Sequence, residues 1–150
     1  NDQILDFDFD KVAQKSKDNP VFYVKYAHAR LCSVLRKAEE MELGLIKKDI
    51  NLSLLNHELH LNLFKCLSNW PRVIETSAIY REPHRIVFYL IELSSMFHSL
   101  WSQGREEEEL RFFQKDNIDL TFANLHLVQA TKYVIASGLE IISVSAPEEM

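Results

Sequence analysis

Apolar residues return at intervals of three and four along most of this chain, and no apolar–polar alternation of strand length is bounded by turn signals at both ends. The pattern predicts helices throughout. A weak first element covers about 8–17. A second helix starts where Asn19 can cap and Pro20 can take the first helical position, and it runs to about Met41, with Gly44 just beyond. The stretch NLSLLNHELHLNLFKCLSNWP, 51–71, repeats leucines in the manner of a buried helix until Pro71 breaks it and opens a shorter one, RVIETSAIY. Pro83 opens the next, HRIVFYLIELSSMFHSLWSQ, which should end near Gly104. REEEELRFFQKDN reads as a loop or a solvated helix. A last helix spans about 118–137 with Gly138 as its C-terminal cap, and the tail LEIISVSAPEEM follows. The architecture predicted is an all-α helix bundle.

Composition narrows this further. A chain of 150 residues suits one domain, 1–150, and 47% apolar with 26% charged residues is a globular mixture rather than a disordered one. Three glycines and four prolines leave little material for hairpins or phosphate loops, which again favours helices. No apolar run reaches membrane-spanning length: the longest, Ile86 to Ile91, is stopped by Glu92, so no membrane partner is expected. The acidic start NDQILDFDFD does not read as a secretory signal, and a first residue Asn1 suggests a fragment of a longer protein. Cys32 and Cys66 sit inside apolar patterns and read as free thiols of a reducing cytosol.

The net charge of -5 argues against general nucleic-acid affinity, DNA included, but does not describe a local patch. Lys25, Arg30, Arg36 and Lys37 lie between residues 20 and 38 with no acidic residue among them. On a helical wheel Val24, Ala27, Leu31, Val34, Leu35 and Ala38 form the core arc, while Tyr23, Tyr26, Arg30, Ser33 and Lys37 form the neighbouring one. That second arc is aromatic at one end and basic along its length. Tyrosine rings stack on splayed bases while arginine and lysine hold phosphates, so it suits single-stranded RNA. The pattern alone leaves a second reading open, in which the aromatics are core and the cations are an ordinary solvated face.

Other constellations are poorer in chemistry. His57 and His60 in HELH are three apart, whereas the zinc-protease motif needs four and further ligands. His84, His98 and His126 have no serine or cysteine at a spacing that suggests a nucleophilic triad. The run Glu106–Glu109 would repel RNA and should lie away from any binding surface. No catalytic residue and no metal ligand is expected.

The segment NPVFYVKYAHARLCSVLRKA at 19–38 resembles the start of the C-terminal anticodon-binding (DALR) domain of bacterial-type arginyl-tRNA synthetases, where NPV.YVQYAHAR is characteristic. REPHRIVFYLIELSSMFHSLW at 81–101 is similar to that family's EPHR...YL.ELA..FH.FY. LVQATKYVIASGLEIISVSAPEEM at 127–150 is similar to its L..A...VL..GL..LGV.APE.M. Three motifs in order cover nearly the whole chain. Lys25 departs from a glutamine, Asn124 from the arginine of an ARL triplet, Ser143 from a glycine and Trp101 from a tyrosine.

The resemblance implies a helical domain of the class I synthetase type that binds the anticodon stem and loop of arginine tRNA. The middle C is the anticodon letter that almost all arginine codon families share. Tyr23, Tyr26 and Met150 are implied to hold splayed bases, with Trp101 at a further aromatic position of the motifs. Arg30 and Lys37, taken from the wheel, are expected on phosphates, and small Ala27 is expected to admit a base closely. His28 and Arg85 are expected to be structural. No cofactor is expected in this domain. ATP with magnesium would serve a catalytic domain upstream, and the parent enzyme would be cytoplasmic. The alternatives are the anticodon domain of a cysteinyl or methionyl synthetase, or a helical interaction module without RNA.

Overall fold

The computed structural model describes residues 19–43 and 50–150; the predicted element at 8–17 and Gly44 lie outside them. Five α-helices and two 3-10 turns make up the regular structure of the described residues, with no strand: α1 Pro20–Glu40, α2 Glu58–Ser68, α3 Trp70–Tyr80, α4 His84–Glu106 and α5 Ile118–Ile141. The 3-10 turns are Leu52–Leu54 and Glu108–Leu110. The helix bundle expected from the sequence is what the chain forms.

α1 begins as its sequence dictates. Asn19 Oδ1 accepts from the backbone N–H groups of Val21 and Phe22 at 3.0 and 3.3 Å, and Pro20 lacks the donor that would otherwise go unused. Its core arc Val24, Ala27, Leu31, Val34, Leu35 and Ala38 is buried, chiefly against α5 and α4.

The predicted single helix over 51–71 is instead a 3-10 turn and a helix that starts seven residues later. Asn51 Oδ1 accepts from Ser53 N and Ser53 Oγ, closing a local turn that competes with helix. His57 then caps α2, its Nδ1 accepting from Leu59 N at 3.2 Å. The leucine repeat therefore does not mark one buried stripe: Leu55 and Leu63 are buried, while Leu52 and Leu61 are exposed. Pro71 does open α3, in its first turn. Tyr89 on α4 donates its hydroxyl to the Cys66 carbonyl at 2.9 Å and stacks on Trp70, tying α4 to the α2–α3 corner. Cys66 and Cys32 are free and buried, and burial pushes both thiols up, which keeps them unreactive.

Helix α4 passes Gly104 and ends at Glu106. A Cβ on Gly104 would stand 2.7 Å from the Leu110 carbonyl oxygen, so this glycine lets the next segment fold back on the helix. Gly138 is likewise not a cap. It lies inside α5 and is buried, and a Cβ there would come within 2.6 Å of Leu90.

Helices α1, α3 and α5 end in the same arrangement, each with a non-glycine residue in the left-handed region: Glu42, Arg81 and Ser143 at φ 57, 56 and 57°. The following N–H reaches back five residues along the chain in each case, Leu43 to Ala38, Glu82 to Ser77 and Val144 to Leu139. The helix end expected at Gly138 thus comes at Ser143 instead. Ser143→Gly should raise stability by about 1 kcal/mol by removing the left-handed penalty. Gly138→Ala should lower it by about 1–3 kcal/mol through overpacking on Leu90. Denaturant midpoints followed by circular dichroism check both signs.

Candidate nucleic-acid interface

The basic, aromatic arc of α1 faces the C-terminal half of α4 and the tail after α5. The tail runs along α1 in three steps. Lys25 Nζ donates to Ser145 Oγ at 3.1 Å, His28 Nδ1 lies 2.8 Å from the Pro147 carbonyl oxygen, and Arg36 pairs with the Glu149 carboxylate. Because its partner is a carbonyl, Nδ1 of buried His28 carries the proton and donates. His28, expected to be structural by holding helices together, makes this bond to the tail rather than to another helix. Arg85 instead pairs with Glu82 at the surface.

Laid there, the tail closes a cleft of about 510 Å³ lined by Tyr26, Arg30, Arg36, Trp101, Glu148, Glu149 and Met150, together with Ala29 and Ser33. Four of the expected site residues, Tyr26, Arg30, Trp101 and Met150, meet in this one place from three distant parts of the chain. Met150 is 56% exposed, so its thioether is available at the rim. The Arg30 guanidinium lies 4.4 Å from the Tyr26 ring centroid and 4.9 Å from that of Trp101, and it donates to the Tyr26 hydroxyl. Cation–π attraction to two rings holds it in a fixed orientation.

The remaining expected residues fall elsewhere. Tyr23 packs on His98 at 4.7 Å and borders a separate depression with Ser99, Gln103 and Glu106. Lys37 lies 5.3 Å from the Phe113 ring centroid in an adjoining pocket. Ala27 has 0% exposure, so it offers no surface to a base; the expectation of close approach is corrected, and its small size serves helix packing. Asn124 is also fully buried, donating to the Arg111 carbonyl at 3.3 Å.

Two features escaped the sequence reading. His98 lies under the platform, stacked on Tyr26 at 5.7 Å, with Arg30 Nη1 at 3.4 Å from its Nδ1. Arg30 can only donate, so Nδ1 accepts and Nε2 carries the proton, buried without a hydrogen-bond partner. Burial, with the Arg30 charge second, holds the His98 pKa down at about 4. Its place one residue after Phe97 in the second motif was the available signal. The other feature is the segment after α4. The acidic run borders the site, because Arg105 before it and Leu110 to Phe113 after it line the adjoining pocket.

His60 is a second buried neutral imidazole, 2% exposed with neither ring nitrogen partnered, and burial followed by the His57 charge lowers its pKa to about 4. In the unfolded chain both histidines titrate near about 6.5. Above that pH neither state is charged and nothing is lost. Below it the unfolded state takes up protons that the fold refuses, so stability falls as the pH drops from about 6.5 toward 4. The melting temperature should be level from pH 8 to 6.5 and decline already between 6.5 and 5, before most carboxylates titrate. His60→Leu should flatten that decline in a pH series of thermal melts.

Among the described residues the chain is a helical module without strands that carries an aromatic–basic cleft on its surface. The family model described as the DALR anticodon binding domain matches residues 24–150, and the chain belongs to that family. It is 52% identical over its whole length to part of an arginine–tRNA ligase of Roseobacter denitrificans and 46% identical to part of one from Ehrlichia chaffeensis. The chain spans only 26% of the length of each of these relatives. A solved Campylobacter jejuni chain described as an arginyl-tRNA synthetase shares the fold, with a TM-score of 0.72 at 24% identity over 96% of this chain and 29% of that one.

Proposed function

We propose that this chain is the anticodon-reading domain of an arginine–tRNA ligase and that the cleft between Tyr26, Trp101 and Met150 receives an unstacked base of the anticodon loop. The convergence of two aromatic rings, a guanidinium and a thioether in one cleft carries this reading. An extruded base finds apolar faces on both sides, and Arg30, held flat against the rings, offers its outward N–H groups to the backbone phosphate. Arg36 can exchange Glu149 for a phosphate as the RNA arrives. The base of first interest is the middle C of arginine anticodons.

The rest of the reaction lies outside these residues. Activation of arginine by ATP with magnesium belongs to a catalytic domain upstream in the longer enzyme. Among the described residues no group of three or more His, Cys, Asp or Glu is placed to hold a metal. Such an enzyme works in the cytoplasm, and no helix among the described residues is long and apolar enough to cross a membrane.

Titration of the chain into labelled anticodon hairpins tests the reading. The arginine hairpin should bind more tightly than one whose middle base is exchanged. Tyr26→Ala should weaken that binding by about 1–3 kcal/mol without unfolding the domain. Equal affinity for both hairpins, or a folded Tyr26→Ala variant that binds like the parent, would overturn it. Failure to bind any hairpin would favour a protein-interaction module instead.

A further inference from the structure

A second pocket adjoins the cleft and has no part in the reading so far. It encloses about 290 Å³ between Lys37 on α1, Trp101 and Arg105 near the end of α4, and Arg111, Phe112 and Phe113 in the segment beyond. Ser33 and Trp101 line both the pocket and the cleft, so the two lie side by side.

The wall supplied by residues 107–114 is firmly built. Gly104 lets the Leu110 backbone lie against α4, and Leu110 and Phe112 are buried, Phe112 against Phe97 and Trp101. Gln114 Nε2 donates to the carbonyls of Glu108, Glu109 and Arg111. Gln114 N in turn donates to Thr121 Oγ1 at 2.8 Å, fixing the segment to α5. A wall held at so many points presents its outward side chains in defined positions.

Those side chains are cationic and aromatic. Lys37 Nζ sits over Phe113, and Arg105 is exposed with no ion pair among the described residues. Of the neighbouring glutamates, Glu108 is engaged by Arg111 and Glu107 by Gln103. An isolated small anion would need the cations but not the aromatic wall. An apolar peptide would need the wall but not two cations at its mouth. A nucleotide uses both.

We infer that this pocket takes the nucleotide adjacent in the RNA chain to the one held in the cleft, with its base against Phe113 and its phosphate between Lys37 and Arg105. The inference rests on the anticodon-reading function proposed above, and the shared Trp101 wall brings the two nucleotide sites side by side. Lys37, expected from the wheel on a phosphate of the first site, thereby serves the second.

The test measures fluorescence anisotropy of labelled arginine anticodon hairpins with the full 150-residue chain. The hairpin is intact, or carries one abasic nucleotide on the 5′ or on the 3′ side of the middle C. Phe113→Leu keeps the apolar bulk, Arg105→Ala changes only an exposed side chain, and circular dichroism confirms that both fold. Each should weaken intact-hairpin binding by about three- to tenfold. One of the abasic hairpins should bind the parent weakly to begin with and be indifferent to Phe113→Leu, while Tyr26→Ala still weakens it further. Parent-like affinity of both variants, or a Phe113→Leu effect as large on both abasic hairpins as on the intact one, overturns the second site while leaving the Tyr26 cleft standing. Absence of binding by the parent to every hairpin overturns both.

Discussion

The bond from His28 to the Pro147 carbonyl links the helix bundle to everything proposed for its surface. His28 is buried in the middle of α1 and spends its Nδ1 proton on a tail residue rather than on another helix. Proline cannot continue a helix, and Ser143 has already turned the chain out of α5 in a left-handed conformation. Lys25 and Arg36 fasten the tail on either side of that buried anchor. Chain ends fray unless tied down. Here the tie positions Glu148, Glu149 and Met150 as a wall, and without it α1 would carry a flat aromatic–basic face rather than a cleft.

The charges of the cleft follow from the same geometry. An acidic protein can still present cations locally, because α1 carries no acidic residue between Pro20 and Ala38. Arg30 is immobilised by two rings, which reduces the entropy that a free surface arginine would lose on meeting a phosphate. Burial, and after it the same guanidinium, keeps His98 neutral beneath the rings, so the platform carries one positive charge rather than two. Glu149 neutralises Arg36 in the chain by itself, which moderates attraction to nucleic acid in general.

Much of this was legible in the chain. Asn19, Pro20 and the wheel gave α1 correctly because its signals are local: a cap, a fixed φ and one buried arc. The resemblance of three motifs picked out Tyr26, Trp101 and Met150, which no periodicity would join across more than a hundred residues. Readings failed where a tertiary contact outweighed a local one. Gly138 looked like a cap, but its absent Cβ serves Leu90. The leucines of 51–71 imitate one helix, yet Asn51 and His57 offer side-chain acceptors that end and restart it. The stretch 105–117 read as a loop or a solvated helix and is largely a loop with a 3-10 turn, but its four glutamates mask the burial of Leu110 and Phe112, which depends on Gly104 facing the Leu110 carbonyl six residues on. Ala27 belonged to the core arc from the start, and its small size could not distinguish helix packing from access for a base.

The central claim is that a base of the anticodon loop enters between Tyr26 and Trp101, and Trp101 itself can report it. In a Trp70→Phe background Trp101 is the only tryptophan of the chain. Its fluorescence should be quenched on titration with the arginine anticodon hairpin, and the quenching should vanish when the middle C is made abasic although the hairpin still binds through its phosphates. Unchanged Trp101 emission with the intact hairpin fully bound would contradict the account.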